Sequence, residues 1–420
     1  MKVRVNAAHI IGHLQAPPSK SHMQRVVAAA LLSNQKTTIS HPGYSNDCKS
    51  ALSIAEQLGA QIKKNNNSLE ITGEQKQIQK TLDCGEAGLG IRMFSAIAAL
   101  HDKEITLTGS GSLLNRPMDF FEQSFPSFGV ICHTNNGKLP IQVKGPMQAA
   151  TATINGQLSS QYLTGLLMAL PVTDGDSILH VTQLKSKPYI DLTLAVLKDF
   201  GINITHNSYE TFHIKGKQSY RGREVEIEGD WSGASFPLVA AAIGGSIKMS
   251  SLNTNSKQAD RLILNAITLA GAKVSVDNKF VTVSKNQLNA FDFDATDCPD
   301  LFPPLMVLAS QCNGETKIKG VSRLYHKESN RALVLRDEFS KMGVQIRLEN
   351  DFMIIDGQKI LKHTNIDAHN DHRIAMAACI ISAVGSIEVE ITGAESVAKS
   401  YPEFYNDMKK IGYQITVLEK

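Results

Sequence analysis

Residues 192–216 read LTLAVLKDFGINITHNSYETFHIKG. Leu192, Val196 and Phe200 recur at the spacing of one helical face, and Gly201 then stops the helix. Ile202 and Ile204 begin a two-residue alternation that continues, after the polar turn HNSYE, through TFHI. The period changes from 3.6 to 2 at the glycine, which can take the left-handed conformation that ends helices. The same phrase is written at 51–73 (ALSIAEQLGAQIKKNNNSLEITG) and 333–357 (LVLRDEFSKMGVQIRLENDFMIIDG). Its glycines are Gly59, Gly129, Gly201, Gly271, Gly343 and Gly412, at intervals of 70, 72, 70, 72 and 69 residues. A period this long is a whole supersecondary unit rather than a solenoid turn.

The other half of each unit repeats as well. A polar cluster opens an Ala/Leu-rich helix at Lys20-Ser21, at Glu86-Ala87-Gly88 and at Ser159-Ser160-Gln161. It does so again at Asp230-Trp231-Ser232, at Asp300 and at Asp371-His372-Arg373. Each unit therefore reads strand, helix, strand, helix, strand, strand, with its polar chemistry at helix N-termini. The unpaired N–H groups and the positive dipole end found there favour anions.

With 420 residues, two domains of three units each are expected. The joints are placed near Pro17-Pro18 and near Glu228-Gly229. A charged content of 20% and the absence of a membrane-length apolar run point to a soluble protein. A net charge of +3 without basic runs argues against nucleic acid. MKVRVNAAHI alternates like a strand and not like a signal segment. The six cysteines are scattered without metal spacing, so a cytoplasmic location, without membrane association, is expected.

The informative charges are local. Lys20, Arg25, Arg116, Lys187, Lys327, Arg331, Arg373 and Lys399 nearly all fall at loop-to-helix junctions of the repeat. A single Lys or Arg near a helix end is an ordinary surface charge. Eight at comparable points of a repeat suit a ligand carrying phosphate and carboxylate groups.

PPSKSHMQR, GEAGLGIR, LLNRPM, GQLSSQYLTGLLMALP, SKPYIDLTL, EGDWSGASF, CPDLFPPL, HKESNR, NDHRIAM and AKSYPEF follow one another along the chain. This ordered set, on a sixfold repeat, resembles the 5-enolpyruvylshikimate-3-phosphate synthases among the enolpyruvyl transferases. The resemblance implies an α/β (α+β) fold of two similar domains, each of three βαβαββ units, in the inside-out α/β barrel of that family. It assigns 19–227 to the shikimate 3-phosphate side, and 1–18 with 228–420 to the phosphoenolpyruvate and acid/base side. Ligands are expected between domains that close on them.

On this resemblance, Lys20, Ser21, Arg25, Ser159, Ser160, Gln161, Ser186, Tyr189, Asp300 and Lys327 match the shikimate 3-phosphate ligands. Lys20, Gly88, Arg116, Gln161, Arg331, Arg373 and Lys399 match those of phosphoenolpyruvate. Asp300 matches the base, Glu328 the acid, and Lys20 a cation touching both substrates. His372 ranks below Glu328 as a proton carrier. The implied reaction joins the 5-hydroxyl to C2 of phosphoenolpyruvate and expels phosphate, by a monomeric enzyme with no metal or organic cofactor. Read without the resemblance, Ser159-Ser160 is an N-cap, Gly88 a turn glycine, Tyr189 a packing residue and Lys20 an exposed charge.

Some positions depart from the family. Glu86 and Leu89 stand where GNAGT usually places Asn and Thr, so Glu86 is expected to point away from the anion site or to pair with Arg92. Tyr325, Asn330 and Arg323 depart from the usual surroundings of KETDR. Two rival readings are a UDP-N-acetylglucosamine enolpyruvyl transferase, for which no reactive cysteine is evident near LLNRPM, and a non-catalytic anion-binding relative.

Overall fold

All six repeat glycines end their helices in the left-handed region, with φ of 91° at Gly59, 69° at Gly129, 83° at Gly201, 99° at Gly271 and Gly343, and 108° at Gly412. Each glycine N–H closes a turn on the carbonyl three residues back, as Gly201 does on Lys198 at 3.0 Å. A Cβ disfavours this conformation, so glycine is the residue that lets the helix pass directly into a strand. The computed structural model describes residues 1–7, 9–74, 78–157, 160–357, 361–384 and 387–419.

Among the described residues the strands form six four-stranded sheets of one topology. In one, Thr81–Asp83 lies parallel to Glu104–Thr108. The latter pairs antiparallel with Lys138–Lys144, which returns against Ile131–Asn135. A parallel pair needs a crossover, and the helix Gly88–Ala98 supplies it here. The antiparallel pair is a hairpin, and Lys138–Lys144 alternates exposed and buried along its whole length. The sheets are separate; among the described residues none closes on itself into a barrel of strands.

Three strands come from a distant part of the chain. The unit containing the helix Lys20–Leu31 takes Glu224–Glu226 as its first strand, parallel to Thr37–Ser40. The unit containing Trp231–Gly244 takes Ile10–Gln15, parallel to Gly245–Ser250. The last unit completes its hairpin with Lys2–Ala7, antiparallel to Tyr413–Glu419. The chain accordingly divides into two compact units, Met1–Pro17 with Glu228–Lys420, and Pro18–Ile227.

Three crossover helices pack together inside each unit. Gly88–Ala98 lies against Ser160–Ala169 and Lys20–Leu31 in one; Trp231–Gly244, Phe302–Ser310 and His372–Ile380 lie against one another in the other. Every residue of Gly88–Ala98 is buried, as expected for a helix that is apolar on all sides. Truncating one of its large residues, such as Phe94, to alanine would cost about 3–5 kcal/mol. At Gly165 the next helix approaches closely: a Cβ there would lie 2.8 Å from the Arg92 carbonyl and 3.0 Å from that of Met93. The helices can therefore pack with their starts side by side.

Candidate active site

In each sheet, two parallel neighbours run into helices or loops from the same end. The start of the inner helix and the segment that follows the second parallel strand are thereby brought together, although 26 to 29 residues separate them. Lys20 meets Asp47, Glu86 meets Ser112, Ser232 meets Asp260, Asp300 meets Lys327 and Asn370 meets Lys399. The carboxyl ends of parallel strands are where open α/β sheets present ligand-binding groups. Five of the six helix starts meet a later segment by this one juxtaposition.

In the unit Pro18–Ile227, Ser19 caps the helix Lys20–Leu31. Lys20 is not an exposed charge: its Nζ lies 2.8 Å from Asp47 Oδ2, and only 16% and 12% of the two side chains remain accessible. Arg25, in the second turn of the helix, is buried. Its Nε donates to Thr193 Oγ1 at 2.9 Å, Nη1 to the Ser21 carbonyl at 2.8 Å and Nη2 to the Tyr189 carbonyl at 3.3 Å. Burial lowers the Arg25 guanidinium to about 10, partly countered by Tyr189, and it stays charged at neutral pH. Thr193 also contacts Thr164 Oγ1 at 3.0 Å, which ties the next inner helix to this cluster. Ser186 precedes the helix Lys187–Asp199 in the left-handed region (φ 57°), and its carbonyl accepts from Tyr189 N. A serine held there by its surroundings is a strained position of the kind that gathers at functional sites.

A second cluster in this unit joins Gln161, Arg92, Gly88 and Arg116. Arg92 Nη1 donates to Gln161 Oε1 at 2.8 Å and reaches the Gly88 carbonyl at 3.5 Å, while its guanidinium lies 5.9 Å from the Phe120 ring centre. A Cβ on Gly88 would collide with Arg116 Nη1, so the absent side chain is what admits the arginine. Glu86 turns its carboxylate onto the turn that follows the second parallel strand. Its Oε2 accepts from Ser112 N at 3.0 Å and its carboxylate sits over Gly111, at the start of the turn Gly111–Asn115 that leads to Arg116. Leu89 is buried in the core. Ser160 is buried at the start of its helix; Ser159 lies outside the described residues.

The other unit holds the predicted proton-transfer residues in one ion-pair network. Asp300, in the turn Pro299–Leu301, accepts from Lys327 Nζ (3.2 Å) and Arg331 Nη1 (2.9 Å) on Oδ1, and from Arg373 Nη2 (3.1 Å) on Oδ2. Burial pushes its carboxyl up, but the charges of Arg373, Lys327 and Arg331 overcome this and hold it well below the usual carboxylate range. Arg331 Nη2 donates to Glu328 Oε2 at 2.6 Å, and its Nε and Nη2 donate to the two oxygens of Asp371 at 2.9 and 3.2 Å. Burial alone would lower the Arg331 guanidinium, yet Asp371, Glu328 and Asp300 raise it. Lys327 is lowered, by burial first, against the pull of Asp300. Lys399, largely buried, donates to the Asn370 carbonyl at 2.6 Å. His372 is buried beside Asp371, its Nδ1 3.9 Å from Asp371 Oδ1.

Several residues bonded to these groups carried no role in the sequence reading. Asp371 caps the helix His372–Ile380 through Arg373 N and also accepts from Ser329 Oγ. Arg373 Nη2 donates to Ser232 Oγ, which in turn donates to Asp260 through a short bond. Asp47, Thr193 and Asp260 are distant in sequence from what they orient. The offset of about one strand–helix crossover was the signal that could have found Asp47 and Asp260.

A family profile described as EPSP synthase (3-phosphoshikimate 1-carboxyvinyltransferase) matches residues 6–408. The chain belongs to the EPSP synthase family. It is 36% identical over 422 residues to the 3-phosphoshikimate 1-carboxyvinyltransferase of Clostridium novyi (strain NT), which covers 98% of this chain and 97% of the relative. Identity to the protein of that name from Clostridioides difficile (strain 630) is 34%, over 98% of each chain. The fold is similar to that of EPSP synthase from Acinetobacter baumannii, with a TM-score of 0.84 at 22% identity over 99% of this chain and all of the other. It is also similar to that of the enolpyruvyl transferase NikO from Streptomyces tendae, with a TM-score of 0.78 at 16% identity over 99% and 98% of the two chains. The enolpyruvyl transferase architecture and the family's transferase class therefore belong to this chain. Among the described residues no helix is long and apolar enough to cross a membrane, and no cluster of metal-ligating side chains occurs.

Proposed function

We propose that this chain transfers the enolpyruvyl group of phosphoenolpyruvate to the 5-hydroxyl of shikimate 3-phosphate with release of phosphate, a step toward chorismate and the aromatic amino acids. The observation that carries this reading is the network in which Asp300, Glu328 and the cations Lys327, Arg331 and Arg373 meet within hydrogen-bond distance. Addition needs a base for the hydroxyl, an acid for the methylene carbon and positive charge around a tetrahedral intermediate, and these groups supply all three. The hydroxyl proton goes to Asp300 as its oxygen bonds to C2, and Glu328 delivers a proton to the methylene carbon. Elimination then breaks the C2–O bond to phosphate while the Glu328 carboxylate takes a proton back from the new methyl group, which forms the enol ether and releases phosphate.

Shikimate 3-phosphate is assigned Lys20, Ser21, Arg25, Ser159, Ser160, Gln161, Ser186, Tyr189, Asp300 and Lys327. Phosphoenolpyruvate is assigned Lys20, Gly88, Arg116, Gln161, Arg331, Arg373 and Lys399. The bonds among Ser21, Arg25 and Tyr189, and the contiguity of Gln161, Gly88 and Arg116 through Arg92, support these sets. Arg92 and Asp371 act as positioning residues. Phosphate release from purified protein given both substrates tests the reading, and activity with UDP-N-acetylglucosamine in place of shikimate 3-phosphate would overturn it. A cytoplasmic, monomeric enzyme completes the proposal, and light scattering on the purified chain tests the second attribute.

A further inference from the structure

Arg331 bonds to both carboxylates assigned to proton transfer, through Nη1 to Asp300 and Nη2 to Glu328, while Arg373 holds the second oxygen of Asp300. Cations assigned to the substrate and carboxylates assigned to the chemistry thus occupy one another. A guanidinium has five N–H groups, and four of those on Arg331 are in bonds to Asp300, Glu328 and Asp371. An incoming carboxylate or phosphate can engage this arginine as a fork only by taking a position that a protein carboxylate now holds.

We propose that phosphoenolpyruvate unmasks the acid and the base: its anionic groups replace Asp300 and Glu328 on Arg331 and Arg373, and the two carboxylates become available for proton transfer only once the substrate is in place. This rests on the functional reading above. Asp371 is the fixed side of the exchange. It has no exposed side-chain surface, bonds to the Arg331 edge through Nε and Nη2, and is itself held by Ser329 Oγ and Arg373 N. The guanidinium can then change partners on its outer edge without losing its place. A carboxylate under three cations is a weak base, and one bonded to a guanidinium favours its ionised form, which is not a proton donor. With Arg331 and Arg373 taken by the ligand, Asp300 keeps only Lys327 and becomes a stronger base, and Glu328, freed of the guanidinium, can take up a proton from solvent and act as the acid. Phosphoenolpyruvate bound without its co-substrate would therefore prepare the site, and proton transfer to other acceptors is suppressed while the substrate is absent.

The test is calorimetric titration of phosphoenolpyruvate alone, without co-substrate, into the wild type, Asp300→Asn and Glu328→Gln. If the carboxylates compete with the ligand, each variant should bind it more tightly, by about tenfold or more, the lower end of what a competing charge-assisted hydrogen bond is worth, while losing turnover. Folded variants with affinity equal to or weaker than the wild type's overturn the proposal. Should the variants not fold, a crystal structure of the wild type with phosphoenolpyruvate decides: Asp300 must have left hydrogen-bond distance of Arg331 and Arg373, and retained bonds overturn the exchange. Displaced carboxylates in a chain that releases no phosphate with both substrates would keep the exchange and overturn the functional reading instead.

Discussion

Asparagine at position 371 removes one charge from the most buried part of the network and little else. Neither Asp371 nor Arg331 has exposed side-chain surface, and two of the four bonds on the aspartate come from that arginine. Breaking a buried pair by removing one partner costs about 3–5 kcal/mol, and Arg331 keeps Asp300 and Glu328, so the lower end, about 3 kcal/mol, is expected. Asparagine retains an acceptor for Arg373 N and remains a good N-cap, so the helix His372–Ile380 keeps its start. At about 2–4 °C per kcal/mol for a unit of this size, the unit Met1–Pro17 with Glu228–Lys420 should melt about 6–12 °C lower. Activity should fall further than stability, because a guanidinium without its inner anchor no longer meets the substrate in register. A misplacement of about 1 Å costs on the order of 10²-fold in kcat/KM. Calorimetric melting and steady-state kinetics read the two effects, and Asp371→Ala separates the cap by costing about 1 kcal/mol more than asparagine. A melting point within about 2 °C of the parent, together with unchanged kcat/KM for phosphoenolpyruvate, would refute the anchoring role of Asp371.

Gly88→Ala should fold normally, because the colliding atom is the end of the flexible Arg116 side chain, yet raise KM for phosphoenolpyruvate about tenfold or more as Arg116 shifts; an unchanged KM would show that Arg116 does not touch that substrate. Lys20→Met should cost about 1 kcal/mol of stability through the loss of the Asp47 pair and about 10²- to 10³-fold in kcat, measured by phosphate release, and activity within a few-fold of the parent would place Lys20 outside the site. Loss of water and then the charge of Arg25 bring His22 down to about 4 in the folded chain. The unfolded chain, with a value near 6.5, binds more protons between these limits, so stability falls as pH drops from about 6.5 to about 4, by about 3 kcal/mol in total. Urea titrations across that window should show a flatter pH dependence for His22→Gln, and equal slopes would exclude this role for His22.

The repeat was legible because it is written in local chemistry. A glycine that must turn left-handed, a change of period from 3.6 to 2 and a polar residue at a helix start each depend on a few neighbouring residues, and all six glycines take the expected conformation. The inner helices begin at Lys20, Gly88, Ser160, Trp231, Phe302 and His372, at or within two residues of the polar clusters that predict them. Arg25, Arg331 and Arg373 stood out by their places in the repeat, but not as buried groups held by Thr193, by Asp371 and by Ser232.

What the residues alone determined about this protein is its unit, its six-fold count and the set of charges gathered at helix starts, since propensity, capping and periodicity act over a turn or two of chain. The tertiary structure decided the rest. It selected Lys2–Ala7, Ile10–Gln15 and Glu224–Glu226 to complete sheets far along the sequence, because an open sheet edge is satisfied by whichever strand can reach it. It brought the Glu86 carboxylate onto Ser112 N and over Gly111, where a side chain would collide with it. It also brought Asp47 to Lys20 and Asp371 to Arg331, because parallel strands place residues of distant segments at one edge, and buried charges are stable only where such partners meet.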